Sequence, residues 1–186
     1  MAITKINKAK SINALISYIQ TPQKKDKERV LDSVCNGTTL ATAKQDFRTI
    51  RRMYNKDKGY VQGYSMIISW AQDELNPDNP GDVEKAKEVV RQLMADHYDG
   101  HQYVSVLQAD GDGGNLHAHV AINAVNTYTG KSLRGEQTRG VNVAKWSDDI
   151  QQQMGIKNNN LEREQWHEKQ SMATIKMRDK GKYSWV

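Results

Sequence analysis

The stretch LHAHVAIN, residues 116–123, constrains this chain more than any other. Side chains alternate between the two faces of a β-strand. Leu116, Ala118, Val120 and Ile122 therefore share one face, and His117, His119, Ala121 and Asn123 share the other. The first set reads as core. Upstream, Gln102–Gln108 alternates in the same way, with Gln102, Val104, Val106 and Gln108 on one face. The loop ADGDGGN joins the two runs, so Gln102–Ala124 is predicted to be a β-hairpin with a glycine-rich connection.

The remaining elements follow from periodicity and punctuation. Ala2–Asn7 reads as a short strand. Ser11 caps a helix in which Ile12, Leu15, Ile16 and Ile19 form one stripe, and Thr21-Pro22 ends it. Tyr18 lies about 100° from the centre of that stripe, beside the buried face, where it could point into a cleft. After it, QKKDKER reads as a solvated run. Thr42 is expected to cap a second helix, with Ala43, Phe47, Ile50, Met53 and Tyr54 inward and Lys44, Arg48, Arg51 and Arg52 outward. Gln62–Trp70 is a strand. Asn76–Gly81 is a loop, and Asp82 is expected to cap a helix facing inward through Val83, Ala86, Val90, Leu93 and Met94. Thr127–Gly130 is a turn. Val143, Trp146, Ile150 and Met154 mark another helix, and residues 161–178 read as a polar, peripheral C-terminal helix. The order predicts an α+β fold, a mainly antiparallel sheet flanked by helices, placed here on one side of it.

At 186 residues the chain is expected to be one domain, 1–186, with 157–186 peripheral to it. No run approaches the ~20 apolar residues of a membrane span, the N-terminus has no apolar signal core, and a lone cysteine, Cys35, excludes an internal disulfide framework. Cytoplasmic location without membrane insertion is the expectation. The net charge of +5 is segregated: residues 1–60 carry 13 Lys/Arg and 5 Asp/Glu, 61–120 carry 3 and 10, and 121–186 carry 11 and 7. Basic flanks around an acidic centre suit a protein that holds a polyanion at its rim and a cation in its middle, although an ordinary basic surface gives the same totals.

Two imidazoles spaced i, i+2 sit about 7 Å apart along one strand face and can converge on one divalent cation. Gln108 ends one hairpin strand and His117 nearly begins the next, so their side chains could meet, and an amide oxygen is a competent third ligand. Such a set leaves coordination positions open, as Mg²⁺ or Mn²⁺ requires when it also accepts a phosphate oxygen. A metal-free pair of exposed histidines fits the same spacing.

These stretches resemble relaxases, the mobilisation nucleases of transmissible elements, and within the HUH endonuclease superfamily the MOBP-type group. AITKINKAKSINALISYIQ is similar to the family's strand and helix bearing a nucleophilic tyrosine. VQGYSMIISW resembles its second strand, and QADGDGGNLHAHVAINAVNTYTGK its H-x-D and H-x-H motif; the closing KGKYSW is similar to the end of the relaxase domain. Gln108 stands where most relatives have the first His of H-x-D, and Asn115 stands near where many have another. The resemblance implies strand-specific nicking of single-stranded or hairpin DNA at an origin of transfer. Tyr18 would be the nucleophile, leaving a 5′-phosphotyrosine. Asp110 would orient a ligating histidine or assist deprotonation of Tyr18, and Gln108, His117 and His119 would hold the metal. It also implies that the chain is the N-terminal part of a longer protein working with auxiliary and coupling proteins.

Arg48, Arg51, Arg52, Lys131, Arg134 and Arg139 are the DNA-backbone candidates, and Asn123 joins them from the third motif. Tyr60, Trp70 and Tyr128 could stack on unpaired bases, and Tyr64 could line the site. Tyr54, Tyr60 and Tyr64 rival Tyr18 as nucleophile. Other functions remain open from sequence: a rolling-circle replication initiator or transposase with the same chemistry, a non-catalytic hairpin binder, or a metallohydrolase using water.

Overall fold

In the computed structural model, which describes residues 2–21, 23–24, 27–28, 30–110 and 113–156, the predicted hairpin becomes the middle of a larger sheet. The chain opens with β1 (Ile3–Lys8) and α1 (Ile12–Ile19), then a two-stranded ribbon of β2 (Gln23–Lys24) and β3 (Lys27–Glu28). β4 (Val30–Asn36), α2 (Ala43–Met53), β5 (Gly63–Ser69) and α3 (Pro80–His97) follow. β6 (His101–Gln108), β7 (His117–Asn126), a 3₁₀ turn over Gly135–Thr138 and α4 (Gly140–Gln153) complete the described chain. The five long strands are ordered β1-β5-β7-β6-β4, and every pairing is antiparallel.

The ends of the helices show why they start where they do. Ser11 caps α1, its Oγ accepting from the Ala14 N–H at 3.3 Å. Asn79, rather than Asp82, caps α3: its Oδ1 accepts from Gly81 N at 2.9 Å, and Pro80 occupies the first turn, where its missing N–H costs nothing. β4 has no counterpart among the predicted strands. It is the sheet edge beside β6, its side chains are mostly half-buried, and VLDSVCN therefore lacks a clean alternation.

Helices cover both faces of the sheet, not one as the sequence pattern predicts. On one face α3 and α4 bury Tyr64, Met66, Ile68, Tyr103, Leu107, Ala118, Val120 and Ile122 against Ala86, Val90, Leu93, Val143 and Ile150. On the other, α1 and α2 bury Ile12, Ile16, Ile19, Ala43 and Phe47 against Val104, Val106 and Ala121. The interior strand β6 is buried along its whole length, which follows from cover on both sides.

A buried polar chain fastens α4. The Trp70 indole N–H donates to Gln151 Oε1 at 2.8 Å, Gln151 Nε2 donates to Ser147 Oγ at 2.9 Å, and Thr4 Oγ1 donates to the same Ser147 Oγ at 2.9 Å. Trp70 is therefore core and no platform for bases. Tyr64 belongs to the same core, with its hydroxyl donating to Leu133 O, so it does not line the histidine face. No helix among the described residues is long and apolar enough to cross a membrane. The helix expected over 161–178, with His167 and KGKYSW, lies outside the described residues, as does Asp112.

Candidate active site

The register of the hairpin places Gln108 directly opposite His117, and Val106 opposite His119. The His117 and His119 rings meet edge to face with centroids 5.1 Å apart. His117 Nδ1 lies 2.9 Å from Asn115 O, and its Nε2 lies 3.3 Å from Asp110 Oδ1. Two acceptors thus flank one ring, one at each nitrogen. A ligating histidine commonly donates its other N–H to a carbonyl, and the Asn115 contact leaves Nε2 as the atom of this ring that could ligate.

The tyrosine arrives from the other end of the sequence. α1 lies on the same sheet face and its last turn brings the Tyr18 ring to His119, centroids 5.9 Å apart and planes at 90°. Tyr18 is 49% exposed, as its place on the flank of the isoleucine stripe predicts. Gly63 lets the helix sit this low: a Cβ there would come within 2.5 Å of Ile12 Cδ1 and 2.7 Å of Ile122 O. The helix end is fully accounted for. Ile16 O accepts from Gln20 N, Tyr18 O from Thr21 N, Ser17 O from Thr21 Oγ1 and Ile19 O from Gln108 Nε2. Gln20 Nε2 also donates to Leu40 O, ahead of α2.

Gln108 is fully buried, and its Oε1 has no hydrogen-bond partner among the described residues. An orphaned buried oxygen costs about 1–3 kcal/mol unless something not yet counted satisfies it. Among the described residues no group of three or more His, Cys, Asp or Glu side chains is placed to hold a metal. A cation here would use the amide oxygen beside the two imidazoles, a donor set that suits hard and borderline ions.

The basic candidates divide. Arg48 and Arg52 have exposed side chains, yet the Nε of each is pinned to Asp57 Oδ2, at 3.2 Å and 3.4 Å. With Lys44 they border a groove against Asn13 in α1. Arg51 is buried, its Nε and Nη2 both donating to Asp57 Oδ1, so it fastens α2 to the following loop and leaves the DNA-facing set. Burial alone would raise the Asp57 carboxyl; hydrogen bonds from Arg48 and Arg51 hold it below the ordinary range. Met53, expected inside, is exposed instead, because α2 turns Ala43, Phe47 and Arg51 inward at spacings of four.

Asn123 also leaves the DNA-facing set. It is fully buried under α2, donating to Phe47 O at 3.2 Å and to Gln102 Oε1 at 2.9 Å. Lys131, Arg134 and Arg139 are exposed, but they follow the far end of β7, about 24 Å from His119 along an extended strand. Tyr54 is structural: its hydroxyl donates to Thr127 O at 2.9 Å, and its ring packs on Gly130, where a Cβ would fall within 2.3 Å of it. Tyr60 and Tyr128 are exposed near that far end. Sequence reasoning missed Asp57 and the carbonyls of Ile19 and Asn115. Backbone groups leave no trace in side-chain patterns, and Asp57 sits unremarkably in NKDKG.

A family model described as relaxase, MobA/VirD2-like, nuclease domain matches residues 18–156. Two Staphylococcus aureus proteins, each named Protein rlx, are similar to the chain. One is 25% identical over 185 residues, covering 100% of this chain and 50% of that protein. The other is 26% identical over 156 residues, covering 84% of this chain and 44% of its own length. The chain thus spans about half the length of the curated relatives it matches.

Proposed function

The chain belongs to the MobA/VirD2-like relaxase nuclease family, and on that premise we propose that it nicks single-stranded or hairpin DNA at an origin of transfer through Tyr18. The observation that carries this reading is the meeting of Tyr18 with His119, two residues a hundred positions apart, beside His117, Asp110 and Gln108.

Tyr18 Oη attacks the scissile phosphorus, a new O–P bond forms, and the bond from phosphorus to the 3′ oxygen breaks. The 5′ end stays on the enzyme as a phosphotyrosine ester, and the 3′ oxygen leaves as a hydroxyl after gaining a proton. Half exposure of the ring lets the strand reach it and lets the phenolic proton pass to water. Gln108, His117 and His119 would hold a divalent cation, Mg²⁺ or Mn²⁺, and that ion supplies charge to offset the negative oxygens of the phosphate. Asn115 O at Nδ1 would orient the His117 ring for ligation, and Asp110 stands on the Nε2 side, beside the ion that ring would hold. The exposed Arg48 and Arg52, with Lys44, offer a cationic border for the strand backbone, on a groove that reaches α1.

The test is a denaturing gel of protein incubated with an origin oligonucleotide and Mn²⁺. A covalent adduct is expected, and it should vanish with Tyr18→Phe or EDTA. Cleavage without an adduct would replace this reading with a water-using hydrolase, and binding without cleavage with a hairpin-binding protein.

A further inference from the structure

We infer that Gln108 is a positioning residue for the nucleophile as well as a ligand, its two amide ends joining the Tyr18 helix to the ion site. The inference rests on the nicking reading but adds a role that metal ligation does not require. Gln108 Nε2 donates at 2.9 Å to Ile19 O, the carbonyl next to Tyr18, from a strand 89 residues later in the chain. The same side chain is fully buried and keeps its Oε1 without a hydrogen-bond partner among the described residues, while standing across the register from His117. One planar group therefore caps the helix with its nitrogen and leaves its oxygen for another partner.

α1 needs such a cap. It has only eight residues, too short to hold itself in water, and no basic side chain lies in its last turn to bond the final carbonyls. The other three terminal carbonyls are closed by Gln20 and Thr21, both local, so they stiffen the turn without fixing it to the sheet. The Ile19–Gln108 bond is the one among these four that ties the turn to the histidine hairpin. A carboxylate of the same reach would keep an oxygen for an ion but oppose Ile19 O with another acceptor. A lysine would donate to the carbonyl and offer no ligand. Glutamine, or an imidazole with its two nitrogens, does both.

The full chain with Gln108→Glu and Gln108→Met separates the roles. Three readings are taken with Mn²⁺ as the probe: its affinity by calorimetry without DNA, amide exchange of Gln20 and Thr21, and the rate of adduct formation at saturating Mn²⁺. Gln108→Glu is expected to bind Mn²⁺ at least as tightly as the parent. Its exchange at Gln20 and Thr21 should nevertheless rise tenfold or more, and its adduct rate should fall tenfold or more. Gln108→Met is expected to show the same faster exchange with a tenfold weaker Mn²⁺ affinity. Parental exchange and parental adduct rate in Gln108→Glu would overturn the positioning role. If the parent itself forms no adduct, the nicking reading fails, and the exchange data still decide whether the amide holds the helix.

Discussion

On one face of the sheet, α3 and α4 bury a continuous apolar layer running from Ala2 to Ile156, whereas the layer between α1, α2 and the other face holds eight buried apolar residues and a row of amides. Asn123, Gln102 and Gln108 are all buried on that second side, each donating to a backbone carbonyl of α1, α2 or the segment before α2. Apolar burial is non-directional and sets how much the fold resists opening. Hydrogen bonds fix direction and spacing, and here they fix the helix that carries the tyrosine. The comparison teaches that stability and aim are assigned to opposite sides of one sheet.

The sharpest way to break that division is Leu93→Ala in the apolar layer. It should cost about 2–5 kcal/mol in denaturant unfolding while the adduct rate per folded molecule stays within about twofold of the parent. Asn123→Ala on the other side should cost less, about 1–3 kcal/mol, because it strips the partner from Gln102 and from Phe47 O. Its adduct rate per folded molecule should drop further than that loss explains. Arg48→Ala should cost no more than about 1 kcal/mol in unfolding, the range of an exposed ion pair such as the one it makes with Asp57, and should reduce the slope of log binding against log salt for an oligonucleotide by about 0.7, the value for one phosphate contact on a single strand.

The smallest effect concerns pH. His101 is buried beneath Asn123, its Nδ1 lying 2.9 Å from Asn123 O. Burial pulls its imidazole below the usual value, with the carbonyl contact opposing. The folded state then binds fewer protons than the unfolded one. Its stabilising share is present above the unfolded value of about 6.5 and is lost as pH falls through the folded value. His97, stacked on Trp146 at 4.0 Å and lowered chiefly by burial, has the same sign. Denaturant midpoints should therefore fall as pH drops from about 7 toward 5, and His101→Gln should flatten the slope without abolishing it.

The hairpin and its histidine face were legible because a period of two leaves no ambiguity once two histidines and two glutamines fall on it. Periodicity made Tyr18 legible only as a flank residue of an isoleucine stripe, and the nucleophile's role came from the resemblance of its helix to a known motif. The second helical layer was not, since Val104, Val106 and Ala121 are apolar on the face that the histidines mark as functional; that face turns from core to site midway along its strands. Arg51 misled because an inward guanidinium needs a carboxylate, and Asp57 lies beyond the end of its helix. Asn123 read as a contact for DNA when its work is under α2.

In the proposed reaction the phenol of Tyr18 takes the phosphate. Mass spectrometry of the trypsin- and nuclease-digested adduct tests it most directly. The peptide spanning residues 11–24, SINALISYIQTPQK, should carry the mass of a nucleotide on its single tyrosine. The same mass on a peptide holding Tyr54, Tyr60 or Tyr64 would contradict the account.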